Sequence, residues 1–131
     1  MAKKEASAPT RKRPATPRLP ANVRRGINAA LSKKADDVVV LDLSKTPAFT
    51  DYFIISTGRS VRQVQAVADA IQDALREKNV KPSIVEGSRR AEWVLIDYFD
   101  FIFHVFTPAT RDFYALEKLW GDARRIEIPA D

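Results

Sequence analysis

Two apolar runs separated by a two-residue break make up the most hydrophobic stretch of this chain. Trp93-Val94-Leu95-Ile96-Asp97-Tyr98 precedes Phe99-Asp100, and Phe101-Ile102-Phe103-His104-Val105-Phe106 follows. Aromatic and branched residues on both sides of so short a break predict a β-hairpin at the centre of the core. On alternation Trp93, Leu95 and Asp97 share one sheet face, and Val94, Ile96 and Tyr98 share the other. His104 points with Ile102 and Phe106. Phe99 is a poor occupant of a two-residue turn, which favours Gly or Asn where φ is positive. Either the loop is longer, or Phe99 is held outward by something it packs on. Thr107-Pro108 then starts a helix, because threonine can cap it and proline fits the first helical position. Residues 111–120 read as a short helix closed by Gly121.

The rest of the chain alternates similar signals. Val23, Ile27, Ala30 and Leu31 recur at helical spacing, and the helix they predict ends near Ser32-Lys33-Lys34. Val38-Val39-Val40-Leu41-Asp42-Leu43 is a buried strand by its β-branched run, and Asp51 to Thr57 is a second strand beyond a loop with Pro47. Gly58-Arg59-Ser60 breaks that strand, and Ser60 with Gln63 makes a capping box for the longest helix. Val61, Val64, Val67, Ala68, Ile71, Ala74 and Leu75 form its buried stripe, and Asn79 is a left-handed terminator. Lys81 to Gly87 offers a short third strand. This order predicts an α/β domain with a mixed sheet flanked by helices, rather than a doubly wound parallel one.

Composition bounds the function classes. A chain of 131 residues suffices for one domain with a real core. No run of about eighteen apolar residues occurs, so no membrane-spanning helix is expected. The absence of Cys removes disulfides and thiolate chemistry and fits a reducing compartment. Net charge is +5, but residues 1–25 hold eight Lys/Arg against Glu5 and carry +7, leaving residues 26–131 at −2. Residues 1–21 are therefore read as a disordered basic tail, and 22–131 as the folded domain. The tail is a candidate cationic arm for weak contact with RNA phosphates, or merely a solubilising extension. Pro9, Pro14, Pro17 and Pro20 argue against a transit-peptide helix, and no apolar segment marks a secretory signal. A bacterial cytoplasm is the expected compartment, ahead of an organelle.

Catalytic chemistry finds little support. His104 is the only histidine, and the sequence offers it neither nucleophile nor orienting partner; a satisfied, partly buried residue is the better reading. One His, no Cys and no acidic cluster at ligand spacing predict no metal, and no cofactor is expected. Gly58 and Ser60, between a strand and a long helix, are where a nucleotidyltransferase would hold phosphate. That reaction also needs paired carboxylates on one strand face, whereas Asp97 and Asp100 straddle a turn. Binding remains. Trp93 opens its strand beside the charged loop Ser88-Arg89-Arg90. In the last helix Phe113, Leu116 and Trp120 form a stripe expected in the core. Arg111, Tyr114 and Lys118 form another that is either a contact surface or a solvated face near Glu117.

Several of these segments, taken as a set, resemble the ribosomal silencing factor family (RsfS, also called Iojap). They are Thr50-Asp51-Tyr52-Phe53-Ile54-Ile55-Ser56-Thr57-Gly58-Arg59-Ser60, Arg62-Gln63-Val64, Val85-Glu86-Gly87, Glu92-Trp93-Val94-Leu95-Ile96-Asp97-Tyr98, His104-Val105-Phe106 and Tyr114-Ala115-Leu116-Glu117-Lys118-Leu119-Trp120. The similarity runs from about residue 22 to 122, outside the basic tail. It implies a nucleotidyltransferase-like fold without the catalytic acids, hence no enzyme. It further implies docking on the large ribosomal subunit through large-subunit ribosomal protein fourteen, which blocks joining of the small subunit and represses translation. Large-subunit assembly, and a homodimer when free, are also implied. Carried over by position, the docking residues are Trp93, Asp97 and Tyr98, with Tyr114 and Lys118 as neighbours. Their acidic members and the −2 charge of residues 26–131 suit a basic ribosomal protein. The family commonly has glycine where this chain has Phe99. The alternatives are a nucleotidyltransferase-like enzyme using Gly58 and Ser60, and an assembly factor or RNA binder acting through the tail.

Overall fold

The structure is a computed structural model and describes residues 18–130; residues 1–17, most of the predicted basic tail, lie outside that range. Helix α1 (Ala21–Ser32) leads into strands β1 (Asp36–Asp42) and β2 (Tyr52–Thr57), and α2 (Val61–Arg76) follows. Strand β3 (Ile84–Glu86) precedes the hairpin of β4 (Trp93–Asp97) and β5 (Phe101–Phe106). The chain closes with α3 (Pro108–Tyr114), α4 (Leu116–Leu119) and β6 (Arg124–Glu127). The strands form one mixed sheet in the order β3-β4-β5-β2-β1-β6, with α/β architecture as the sequence predicts. Only β2 and β5 run parallel, Tyr52 opposite Phe101 and Thr57 opposite Phe106. The α2 crossover between them makes that direction reachable.

Helices α1 and α2 cover one sheet face. Val38, Val40, Ile54, Val94, Ile96, Phe103 and Val105 pack there against Val23 and Ile27 of α1 and Val64, Val67, Ile71 and Leu75 of α2. Full burial of each such side chain contributes roughly 1.5–3 kcal/mol. The approach of α1 is close: a Cβ on Gly26 would lie 2.1 Å from the Phe103 ring. The predicted capping box forms, with Ser60 Oγ accepting the Gln63 N–H at 3.1 Å and Gln63 Oε1 accepting the Arg59 N–H at 2.7 Å. The Gln63 amide also donates to the Lys33 and Lys34 carbonyls, so the start of α2 is tied to the end of α1.

Three features differ from the sequence reading. Strand β6 carries one buried residue, Ile126, in a charged segment, too little for alternation to reveal. It is a strand because β1 has a free edge to pair with, Val40 opposite Ile126. The last helix is broken: Ala115 takes φ 47 and ψ 50, which divides residues 108–119 into α3 and α4. The hairpin turn keeps its two residues, and Phe99 accepts φ 76 while standing 72 % exposed, outside the core. Hydrogen bonds within the turn hold it. Asp97 accepts the Phe99 N–H at 2.7 Å, and the Asp100 N–H closes on the Tyr98 carbonyl at 2.9 Å. In addition Leu19, inside the predicted tail, is buried against the core.

Candidate functional site

The opposite sheet face has no long helix over it. Val39, Leu41, Leu43, Ile55 and Phe106 are buried there, with Phe53, Trp93, Leu116 and Trp120 packed partly buried around them. Only α3 and α4 lie on this side, and neither has a buried residue. The face therefore ends in aromatic rings rather than in a helix stripe.

Trp93 is the centre of that arrangement. As the first residue of β4 it stands opposite Phe106, and the two rings stack with centroids 5.1 Å apart. Its indole N–H donates to His104 Nδ1 at 3.0 Å. The Tyr114 ring lies over it at 4.5 Å, and Phe113 meets Tyr114 edge-on at 5.0 Å. Phe113 is 80 % exposed, Leu119 72 % and Tyr114 48 %. Phe113 and Tyr114, exposed and continuous with a half-buried tryptophan, form a patch of the kind that marks an interaction surface.

His104 lies beneath the patch, 3 % exposed, with Phe53 at 4.6 Å and Phe106 at 6.0 Å. Burial pushes its pKa down to about 3, so the ring is neutral. Because Nδ1 accepts the Trp93 proton, the histidine carries its own on Nε2. Among the described residues Trp93 is the one polar side chain bonded to this ring, which is the orienting contact of a packed residue and not of a general base.

The other predicted residues separate. Asp97 shares the Trp93 face but sits at the far end of β4, roughly 13 Å along the strand, with its carboxylate committed to the hairpin turn. Lys118 is exposed on α4, where it lines a shallow hollow with Arg111, Asp112, Ala115, Glu117 and Arg125. Tyr98 is on the wrong face. It is 8 % exposed in the helix-covered core, stacked on Phe101 at 5.1 Å, and burial pushes its hydroxyl pKa up to about 12. Alternation already grouped it with Val94 and Ile96, so its assignment to the docking surface is corrected. Phe113 is likewise corrected: the break at Ala115 swings it out of the stripe whose other members, Leu116 and Trp120, do enter the core.

Arg111 is no solvated residue either. Its side chain is 11 % exposed, and its Nε and Nη2 donate to the two Glu117 oxygens at 2.9 and 3.0 Å. Nη1 donates to the Asp37 carbonyl at 2.7 Å and to Thr57 Oγ1 at 2.8 Å. Arg125 adds a third hydrogen bond to Glu117 at 2.8 Å. The Arg111 hydrogen bond holds the Glu117 carboxyl below its ordinary pKa. The sequence suggested Arg111 and Glu117 as neighbours, but a bidentate pair across a helix break has no periodic signature.

The proposed phosphate loop is occupied by the fold itself. The Gly58 N–H donates to the Phe106 carbonyl at 2.8 Å, while the Arg59 N–H and the Ser60 hydroxyl oxygen are used by the capping box. A Cβ at Gly58 would come within 2.7 Å of the Val64 nitrogen, so this glycine serves the close approach of α2. Among the described residues no three His, Asp or Glu side chains are grouped to hold a metal ion.

Residues 16–131 match the family model described as "Ribosomal silencing factor during starvation". The chain is 41 % identical over 102 residues to the ribosomal silencing factor RsfS of Halalkalibacterium halodurans, covering 78 % of this chain and 87 % of that one. It is 44 % identical over 96 residues to RsfS of Bacillus subtilis, covering 73 % and 81 %. Matches extend to chloroplastic Iojap of Zea mays. A crystal structure of a Chromobacterium violaceum protein superimposes with a TM-score of 0.74 at 40 % identity, covering 76 % of this chain and 83 % of the other. The exposed aromatic patch thus sits on a chain that belongs to the ribosomal silencing factor family, a family of non-enzymatic ribosome-binding regulators.

Proposed function

We propose that the protein docks on the large ribosomal subunit through the Trp93–Tyr114 patch, contacts large-subunit ribosomal protein fourteen, and sterically blocks joining of the small subunit. Translation is repressed by mass action: each large subunit covered by this protein is withdrawn from the joining equilibrium. The observation that carries the reading is the continuous exposed surface of Phe113 and Tyr114 beside Trp93, on a chain of this family. Aromatic anchors that are already packed in place lose little conformational entropy on binding. Lys118 stands exposed on α4, and Asp97 at the far end of β4 supplies acidic character toward a basic ribosomal protein. When the chain is free, the same patch favours self-association, in keeping with the homodimer the resemblance implies. Bacterial relatives support a bacterial cytoplasm as the compartment.

The test is co-sedimentation with separated large and small subunits, using Tyr114→Ala and Phe113→Ala. Both side chains are exposed, so melting temperatures should stay close to the wild type. Trp93→Ala is a poorer probe, because it also empties a packed site and costs about 3 kcal/mol or more. Wild-type protein should pellet with the large subunit only. Each variant should bind about tenfold more weakly, the loss typical of an interface anchor. Binding that survives both substitutions unchanged would remove this patch as the docking surface.

A further inference from the structure

We propose that Arg111 is a positioning residue for the docking patch: by clasping Glu117 across the break at Ala115, it holds Tyr114 on Trp93. The inference rests on the docking reading above and extends it to residues that do not face the partner.

Neither α3 nor α4 explains its own geometry. A helix of seven residues followed by one of four has no independent stability. The residue between them, Ala115, is an alanine at φ 47, a left-handed conformation that is strained for a residue with a Cβ. Neither helix contains a buried residue. Leu116 and Trp120 reach the core, but both follow the break, so neither sets the angle at which α3 meets α4.

Arg111 is the side chain that spans all the parts. It sits on α3, binds Glu117 of α4 with two parallel hydrogen bonds, and reaches the sheet at Asp37 and Thr57. A planar guanidinium with several donors can satisfy these acceptors at once, whereas a lysine cannot. The sheet end of the clasp is itself shaped for the task. The β1–β2 register shifts between Asp36 and Val39, and Asp37 takes φ 49 within that irregularity while its carbonyl accepts the Arg111 Nη1. Glu117 is held in turn by Arg125 from β6, so the strand that adds an edge to the sheet also braces α4. Tyr114 is the last residue of α3, immediately before the break, and its ring lies 4.5 Å from Trp93. Changing the angle at Ala115 therefore moves Tyr114 off the indole before it moves anything else on the sheet.

The experiment is a double-mutant cycle read by large-subunit co-sedimentation, with Arg111→Met, Tyr114→Ala and the pair together. Arg111→Met keeps an apolar stem at the site. Glu117→Gln, which keeps volume and part of the hydrogen bonding, is the milder companion should Arg111→Met fold poorly. The expected result is about tenfold weaker binding for Arg111→Met and a smaller loss for Glu117→Gln. In the Tyr114→Ala background Arg111→Met should add no further loss, because its effect passes through that ring. Losses that multiply in the double variant, or Arg111→Met binding as wild type, overturn the proposal. A second readout needs no ribosome: in a Trp120→Phe background, Arg111→Met should shift Trp93 emission to the red as Tyr114 leaves, and unchanged emission likewise overturns it. Wild-type protein that fails to pellet with the large subunit sinks the docking reading instead, and the Trp93 emission then decides the positioning by itself.

Discussion

His104 places a titratable ring in a purely structural setting. Its ring accepts the Trp93 indole proton and is sealed under Phe53 and Phe106, which drives its pKa from 6.5 to about 3. Between those values the unfolded chain binds a proton that the folded chain refuses. Stability is therefore fully present above pH 6.5 and is lost as the pH falls toward 3. Glu117 acts in the same direction lower down: its depressed pKa gives stability above 4.5 that is lost in more acid solution. Denaturant unfolding between about pH 5 and pH 6.5 isolates the histidine. Wild-type protein should lose roughly 1–2 kcal/mol across that window, and His104→Gln, neutral throughout, should lose much less. Equal losses in the two proteins would show that another group titrates there. Alternation grouped Trp93 with Leu95 and Asp97, and His104 with Ile102 and Phe106, but did not join the two sets. The hydrogen bond between Trp93 and His104 was not legible, because it depends on the β4–β5 register that sets Leu95 opposite His104 and Trp93 opposite Phe106.

Among the elements, the hairpin tip and the broken last helix are where local preference and tertiary demand conflict. The two-residue turn was readable from the spacing of the apolar runs. Phe99 makes it at φ 76 with its ring 72 % exposed, so the strain is borne by the hydrogen bonds of Asp97 and Asp100. Phe99→Gly should remove that strain and raise unfolding stability by up to about 1 kcal/mol, measured as a higher denaturant midpoint at unchanged m-value. A lower midpoint would mean that the phenyl ring contributes contacts in the folded state. The break at Ala115 is the opposite case. Residues 111–120 have sound helical periodicity, yet the helix breaks at Ala115, four residues beyond the Arg111 that reaches Asp37 and Thr57. The polar acceptors at the sheet end outweigh the helix's own preference, and no local rule contains them.

For the whole molecule, charge divides more sharply than structure. Residues 1–25 carry +7 and residues 26–131 carry −2, while buried Leu19 and the family match from residue 16 show that the folded part takes in some of the basic stretch. A truncation that tests the tail should therefore remove residues 1–17 and no more. If the patch provides specificity and the tail only phosphate contacts, the truncated chain should keep its preference for the large subunit. Its affinity should fall less steeply with salt than that of the full chain. Loss of all binding on truncation would make the basic segment the docking element and favour the RNA-binding alternative.

Periodicity, turn chemistry and caps determined most of this fold before any coordinates: α1, the first five strands, the capping box of α2, the hairpin and the division of its side chains between two faces all rest on local spacing. Family-wide motifs in order determined the functional class. What only the tertiary structure decided are the features that depend on partners distant in sequence. β6 exists because β1 has an open edge. Tyr98 belongs to the core because α1 and α2 cover its face, so the residue next to the hairpin tip points away from the Trp93 side of the sheet. Phe113 and Leu119 are exposed, and Tyr114 lies on Trp93, because a guanidinium on α3 meets a carboxylate on α4 and two oxygen acceptors some 54 and 74 residues back along the chain. Sequence spacing encodes which face a residue takes on its own element; which faces are covered, and at what angle two short helices meet, is settled by packing and by hydrogen bonds between remote segments.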